Sequence, residues 1–241
     1  MIKGIIFDLG HTLLEFNREL DEVAREGAET LAEWYHKKKR IQLDQADLVE
    51  TFLAERESAA QQASQSRQEI PLRQTLEVAL SKIEAPAATK SKMLLEAAIK
   101  IYFAPEQAAW QAYPDAISTL KLLKGHYRLG LYSNATDDAY VQRLINENKL
   151  RPELSITFSS AGLGWRKPAP QGFALIAQRW GLPVEQIVVV GDALEVDILG
   201  AQNAGMPSIL VERQAASTPN SITPTALVNN LAELPQLISE L

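Results

Sequence analysis

Short, largely apolar runs alternate along this chain with longer stretches of helical periodicity, and that alternation constrains its fold more than any other feature. IKGIIF (2–7), YRLGLY (127–132), ITFS (156–159), IVVV (187–190) and SILV (208–211) have the length and side chains of buried strands. Helical stretches over about 116–123, 137–146, 170–180 and 196–203 separate them, and an amphipathic stretch, 226–238, closes one face after the last. Strands that alternate with helices build a parallel sheet covered on both sides. A different texture interrupts this pattern. Leu20, Val23, Ala24, Ala28, Leu31 and Tyr35 recur at helical spacing, as do Leu48, Val49, Phe52 and Leu53, and further helices run over about 71–83 and 89–103. The polar stretch 59–69 reads equally as a helix end or a loop. Both textures fit an α/β architecture: a discontinuous, Rossmann-like doubly wound parallel core of about 1–15 and 112–241, with an all-helical domain inserted at 16–111.

Composition removes several function classes. Lys plus Arg number 24 against 30 Asp plus Glu, a formal charge of −6, whereas general nucleic-acid binding needs a basic face. There is no cysteine, hence no disulfide, thiolate metal site or cysteine nucleophile. No run of about 18 apolar residues is present to cross a membrane, and Asp8 interrupts the first apolar run, so no secretory leader is expected there. The expectation is a cytoplasmic protein. The sequence also lacks a G-x-S-x-G elbow, a G-x-x-x-x-G-K-[ST] loop and an H-E-x-x-H helix.

Three strands end in polar clusters: 2–7 in Asp8, 127–132 in Ser133-Asn134, and 187–190 in Gly191-Asp192. Ligands of open parallel sheets bind beyond the carboxyl ends of the strands, so the three clusters converge on one edge. Asp8 and Asp192 then become neighbours that repel unless one is protonated or a cation lies between them. Oxygen ligands without Cys or His favour Mg²⁺ over zinc. Lys167 brings a fixed positive charge to the same edge and Ser133 a hydroxyl, a set suited to phosphoryl transfer.

With these residues in view, the chain resembles the haloacid dehalogenase-like hydrolase superfamily, in the branch with a helical cap between the first and second motifs. FDLGHTL (7–13), YSN (132–134), WRKPAP (165–170) and GDALEVD (191–197) are similar to its four motifs, in order, with the helical block where the cap belongs. The resemblance implies a hydrolase of small phosphorylated metabolites in which Asp8 attacks phosphorus and forms an aspartyl-phosphate. It implies that Asp8, the Gly10 carbonyl and Asp192 hold Mg²⁺, with Asp197 a further acidic ligand, a partner behind the ligands, or a cap of the following helix. Ser133 and Lys167 would grip the phosphoryl oxygens, and Asn134 would add a donor from its side chain or backbone.

One position departs from the pattern. Most phosphatases of this family carry, two residues after the nucleophile, an aspartate that protonates the leaving group and then activates water. This chain has Gly10 there, which implies slow turnover of esters with poor leaving groups. His11 is a candidate replacement, since histidine titrates near neutral pH; the alternative is a simple turn residue. A phosphate-ligand or partner-binding protein on an impaired scaffold is the second reading. Dehalogenases resemble the chain less, because they usually have an aromatic residue at the Gly10 position and a fourth motif without Gly-Asp. Phosphonate hydrolases use a cap lysine, for which Lys37, Lys38 and Lys39 are available, although such a run is ordinarily a solvated face.

Overall fold

The structure, a computed structural model, describes residues 1–38, 40–213 and 221–241; Lys39 and the side chain of Lys38 lie outside what is described. The strands are β1 (Gly4–Phe7), β2 (Leu14–Phe16), β3 (Trp110–Ala112), β4 (Arg128–Ser133), β5 (Ile156–Ser159), β6 (Ile187–Gly191), β7 (Ser208–Val211) and β8 (Ala226–Val228). Six of them form one sheet in the order β5-β4-β1-β6-β7-β8, every neighbouring pair parallel, while β2 and β3 form a separate two-stranded sheet. The chain runs outward from β1 through β4 to β5, then returns to build β6, β7 and β8 on the other side. The direction of travel thus reverses at β1, which opens a crevice at its carboxyl end. Phe7 is in register with Leu131 of β4 and Val190 of β6, so Asp8, Ser133 and Asp192 emerge at nearly one level.

The chain divides into two compact units, Met1–Phe16 with Gln111–Leu241, and Asn17–Trp110. The second unit contains α1 (Leu20–Glu33), α2 (Gln45–Ser66), α3 (Leu72–Lys82), α4 (Lys92–Tyr102) and the short α5 (Ala104–Ala109). Val23, Leu31, Leu48, Phe52, Leu76 and Leu95 form much of its interior. Phe52 meets Tyr102 edge-on at 5.1 Å between ring centres, a favoured aromatic geometry. The polar stretch 59–69 is helical as far as Ser66; Arg67 then turns left-handed (φ 61°) and its N–H caps the Ala63 carbonyl. Lys37 pairs with Glu33 one turn earlier on an exposed surface.

In the first unit, α6 (Ala116–Lys124), α7 (Asp138–Glu147), α8 (Ser160–Leu163), α9 (Gln171–Trp180), α10 (Leu199–Asn203) and α11 (Leu234–Glu240) accompany the sheet. The amphipathic stretch 226–238 is not one continuous segment. It divides into edge strand β8, a 3₁₀ turn (Leu231–Glu233) and α11. The physical reason is a reciprocal cap: Asn230 Oδ1 accepts from the Ala232 N–H at 3.0 Å, and Glu233 Oε1 accepts from the Asn230 N–H at 3.2 Å, so helix initiates only there.

One face of the sheet is set by alternation. Ile6, Tyr132, Ile187 and Val189 point to the same side and pack with Phe173, Ile176 and Trp180 of α9. Gly4 and Gly130, on the same face, leave room for the Trp180 indole: a Cβ on either would lie 2.7 or 2.8 Å from its ring carbons. Adding one methyl at such a site overpacks the core. Gly4→Ala is therefore expected to destabilise the protein by about 1–3 kcal/mol in urea unfolding, and the loss should shrink in a Trp180→Leu background. An equal loss in both backgrounds would contradict this packing.

Candidate active site

The carboxyl end of β1 carries Asp8, whose N–H is held by the Val190 carbonyl at 2.9 Å. Its side chain is almost fully buried and its Oδ1 accepts a hydrogen bond from Lys167 Nζ at 2.5 Å. The same ammonium donates to Asp197 Oδ1 at 2.6 Å, so Lys167, only 3% exposed, lies between two carboxylates. Tyr132 underlies it, with Lys167 Nζ 5.6 Å from the ring centre and the phenol O–H donating to the Trp165 carbonyl at 2.7 Å. Asn134 fixes the backbone of Lys167 from both sides: its Oδ1 accepts from the Lys167 N–H at 2.8 Å and its Nδ2 donates to the Lys167 carbonyl at 3.0 Å.

Asp197 reaches this position through a local irregularity. The expected helix 196–203 begins instead with a π turn, Leu194–Ile198, and continues as α10. The wider turn lets Asp197 Oδ2 accept from the Ala193 N–H at 3.2 Å while Oδ1 holds Lys167. Gly191 makes room for it, because a Cβ there would lie 2.4 Å from Asp197 Cγ. Asp192, half-buried, accepts from Thr12 Oγ1 at 3.2 Å. Oxygens of Asp8, Asp192 and Asp197 lie within 4.8 Å of one another.

The electrostatics follow from burial. Desolvation pushes the Asp8 carboxyl up to about 7; Lys167 opposes the rise, while Asp197 and Asp192 add to it. Asp192 is also raised, first by burial and then by Asp197, with His11, Thr12 and Lys167 acting the other way. Burial alone would lower the Lys167 ammonium, but Asp197 and Asp8 together hold it above its ordinary value. Three carboxylates against one ammonium leave −3 + 1 = −2 when all are ionised. Asp8 Oδ2 and Asp192 Oδ2 receive no hydrogen bond among the described residues, whereas both oxygens of Asp197 do. The donor set therefore fits a hard divalent cation on Asp8 and Asp192, with Asp197 committed to Lys167 and the Ala193 N–H.

The residues singled out in the sequence come to one edge of the sheet. Ser133, buried, ends β4, and Gly10 and His11 lie in the turn after β1, where His11 is left-handed (φ 57°) and its N–H donates to the Leu14 carbonyl at 2.6 Å. His11 and Asp192 line an open cleft of about 470 Å³ with Glu15, Tyr113 and Arg213. Thr12 is a participant that the pattern reading did not single out; it sits inside the first motif, and that place was the available signal. No helix among the described residues is long and apolar enough to cross a membrane.

Residues 2–205 match the haloacid dehalogenase-like hydrolase family, and the chain is a member of it. It is 31% identical over 126 residues to pyrimidine 5'-nucleotidase YjjG of Escherichia coli (strain K12), covering 52% of this chain and 56% of that protein. It is 27% identical over 214 residues to glyceraldehyde 3-phosphate phosphatase of Methanopyrus kandleri, covering 88% of this chain and 85% of that one. The match thus spans little more than half of the first relative and most of the second. A solved structure of 2-haloacid dehalogenase from Pseudomonas syringae pv. Tomato DC3000 superposes with a TM-score of 0.78 at 26% identity, over 100% of this chain and 99% of that one.

The raised Asp8 carboxyl has a consequence for stability. In metal-free protein the folded state holds this proton up to about pH 7, whereas the unfolded chain releases it near the ordinary value of 3.8. Between these values the folded state binds more protons, so stability falls as pH rises. Asp8→Asn has no such proton to lose. Its urea midpoint relative to wild type, measured in EDTA, is expected to climb from about pH 4 to about pH 7 and then level off. A difference independent of pH would contradict the burial argument.

Proposed function

We propose that the protein is a Mg²⁺-dependent hydrolase of small phosphomonoesters that works through an aspartyl-phosphate on Asp8, and we read the helical unit as the family's cap domain. The observation that carries this reading is the cluster of Asp8, Asp192 and Asp197 carboxylates within 4.8 Å of one another, in which Asp8 and Asp192 each keep an oxygen that receives no hydrogen bond among the described residues. Asp8, Asp192 and the Gly10 carbonyl would hold Mg²⁺, which when bound supplies positive charge to the phosphoryl oxygens. Asp8 attacks phosphorus, an oxygen–phosphorus bond forms as the bond to the leaving oxygen breaks, and water later cleaves the acyl phosphate to return the carboxylate. Ser133 Oγ and Lys167 Nζ bind the transferring group and oppose its charge. Asn134 contributes through its backbone N–H only, since its side-chain amide is used on both sides of Lys167. Asp197 is a positioning residue that keeps Lys167 aimed at Asp8.

The resemblance to a haloacid dehalogenase favours a second reading, halide displacement by the same carboxylate. Asp192 weighs against it: a displacement without a metal has no use for a second half-buried carboxylate beside the nucleophile. Gly10 supports a bias within the phosphatase reading. With no acid two residues from the nucleophile, the leaving group must depart largely unprotonated.

Phosphate release from an activated aryl phosphate, sugar phosphates and nucleotides tests this. The expected result is Mg²⁺-dependent release that EDTA and Asp8→Asn abolish, fastest on the aryl ester. Gly10→Asp should raise turnover of the alkyl esters about 10²-fold and narrow the gap. Metal-independent halide release from a 2-haloacid, with no phosphate released from any ester, would replace this reading by dehalogenation. Ligand binding without turnover of any substrate would support the impaired-scaffold alternative.

A further inference from the structure

Arg213, two residues beyond β7, stands at the centre of contacts that no catalytic step above uses. Its Nη2 donates to Asp115 Oδ1 at 3.1 Å and to the Thr12 carbonyl at 3.2 Å. The guanidinium lies 3.5 Å from the centre of the Tyr113 ring. Asp115 is anchored in turn, its Oδ2 accepting from the Leu231 N–H at 2.8 Å, and the Tyr113 N–H donates to the Leu13 carbonyl at 3.1 Å. The contacts join four separate segments: the turn after β1, the chain after β3, the end of β7 and the 3₁₀ turn before α11.

Thr12 is the residue these contacts hold, and it is fully buried. Its carbonyl receives Arg213, and its hydroxyl donates to Asp192 Oδ1 at 3.2 Å. That bond occupies one oxygen of Asp192, while its Oδ2 receives no hydrogen bond among the described residues. We propose that Arg213 is a positioning residue for the cation site: by pinning the Thr12 backbone, it fixes the hydroxyl that orients Asp192. The inference rests on the proposed metal-dependent function and deepens it, since it assigns the residues behind the ligands that set how tightly the metal is held. Groups behind metal ligands act in this way, and losing one weakens metal affinity or activity by about 10–100-fold. Arg213 suits the task because a planar fork can serve a carboxylate and a carbonyl at once, which an ammonium on a flexible stem does not reproduce.

Calorimetric titration of the full-length, metal-free protein with Mg²⁺ alone tests the proposal without reference to activity. Arg213→Gln and Thr12→Val are each expected to weaken Mg²⁺ binding about 10-fold. The double variant should be little weaker than the poorer single one, because both changes break the same chain of contacts. Thr12→Ser, which keeps the hydroxyl, should bind nearly as wild type does. If Arg213→Gln fails to fold, Arg213→Lys takes its place and should show the same weakening. A purely structural role would lower the unfolding midpoint and leave the Mg²⁺ affinity of the folded variant unchanged; that result overturns the proposal. Losses that multiply in the double variant would also overturn it, because Arg213 would then act by a route other than Thr12. Wild-type protein that takes up no Mg²⁺ would overturn the proposed function and this role with it, and is distinguished by the wild-type titration alone.

Discussion

The Lys167 ammonium, held between Asp8 and Asp197, is the interaction on which the rest of the site depends. A lysine this deeply buried would cost several kcal/mol without partners, and so would either carboxylate. The ammonium offsets part of their charge, but Asp192 adds a third carboxylate to the same edge. The fold holds together groups that repel one another when no cation is present. The surplus of −2 is equal in size and opposite in sign to a divalent cation; without one, burial lifts Asp8 and Asp192 and the neighbouring carboxylates add to the rise. Stability and function therefore pull in opposite directions at this edge.

Packing keeps that arrangement in place. The Trp180 indole over Gly4 and Gly130 ties α9 to the centre of the sheet, and Tyr132, on the same face, supports Lys167. Asn134 fixes the lysine backbone, and the π turn at Leu194–Ile198 uses the space above Gly191 to bring Asp197 to the lysine's other side. Trp180, Tyr132, Asp197 and the side-chain amide of Asn134 act on this edge by holding Lys167 and the strands beneath it. Their effect is to leave the Lys167 ammonium, and with it the Asp8 carboxyl it holds, with little conformational freedom.

Much of this was legible in the sequence, for reasons that can be stated. ITFS and SILV coincide with β5 and β7, and the polar residues after the strands reach one edge, because a parallel sheet aligns strand ends whatever the loops do. The edge strand β8 was not legible. The three residues of β8 have no periodicity to detect, and the cap at Asn230 that separates them from α11 is set by side-chain hydrogen bonds rather than by hydrophobic spacing. The length of α2 through 59–66 was equally hidden, since Ala63 is the only buried residue there and no apolar helical period marks the stretch. Within the site, identities were readable but commitments were not. Asn134 is visible as a polar residue after a strand, yet its amide is spent on Lys167 only once the fold brings the two segments together. Arg213 lies outside every motif, and its link to Asp192 through Thr12 exists only once four distant segments meet.

This chain is similar both to a protein named as a phosphatase and to one named as a dehalogenase. What separates the two readings is whether the second carboxylate serves a metal. A crystal structure of the protein soaked in Mn²⁺, with anomalous scattering recorded for the ion, tests this most directly. The account predicts one anomalous peak in contact with carboxylate oxygens of both Asp8 and Asp192. Density for the two carboxylates with no peak between them, at saturating Mn²⁺, would contradict it.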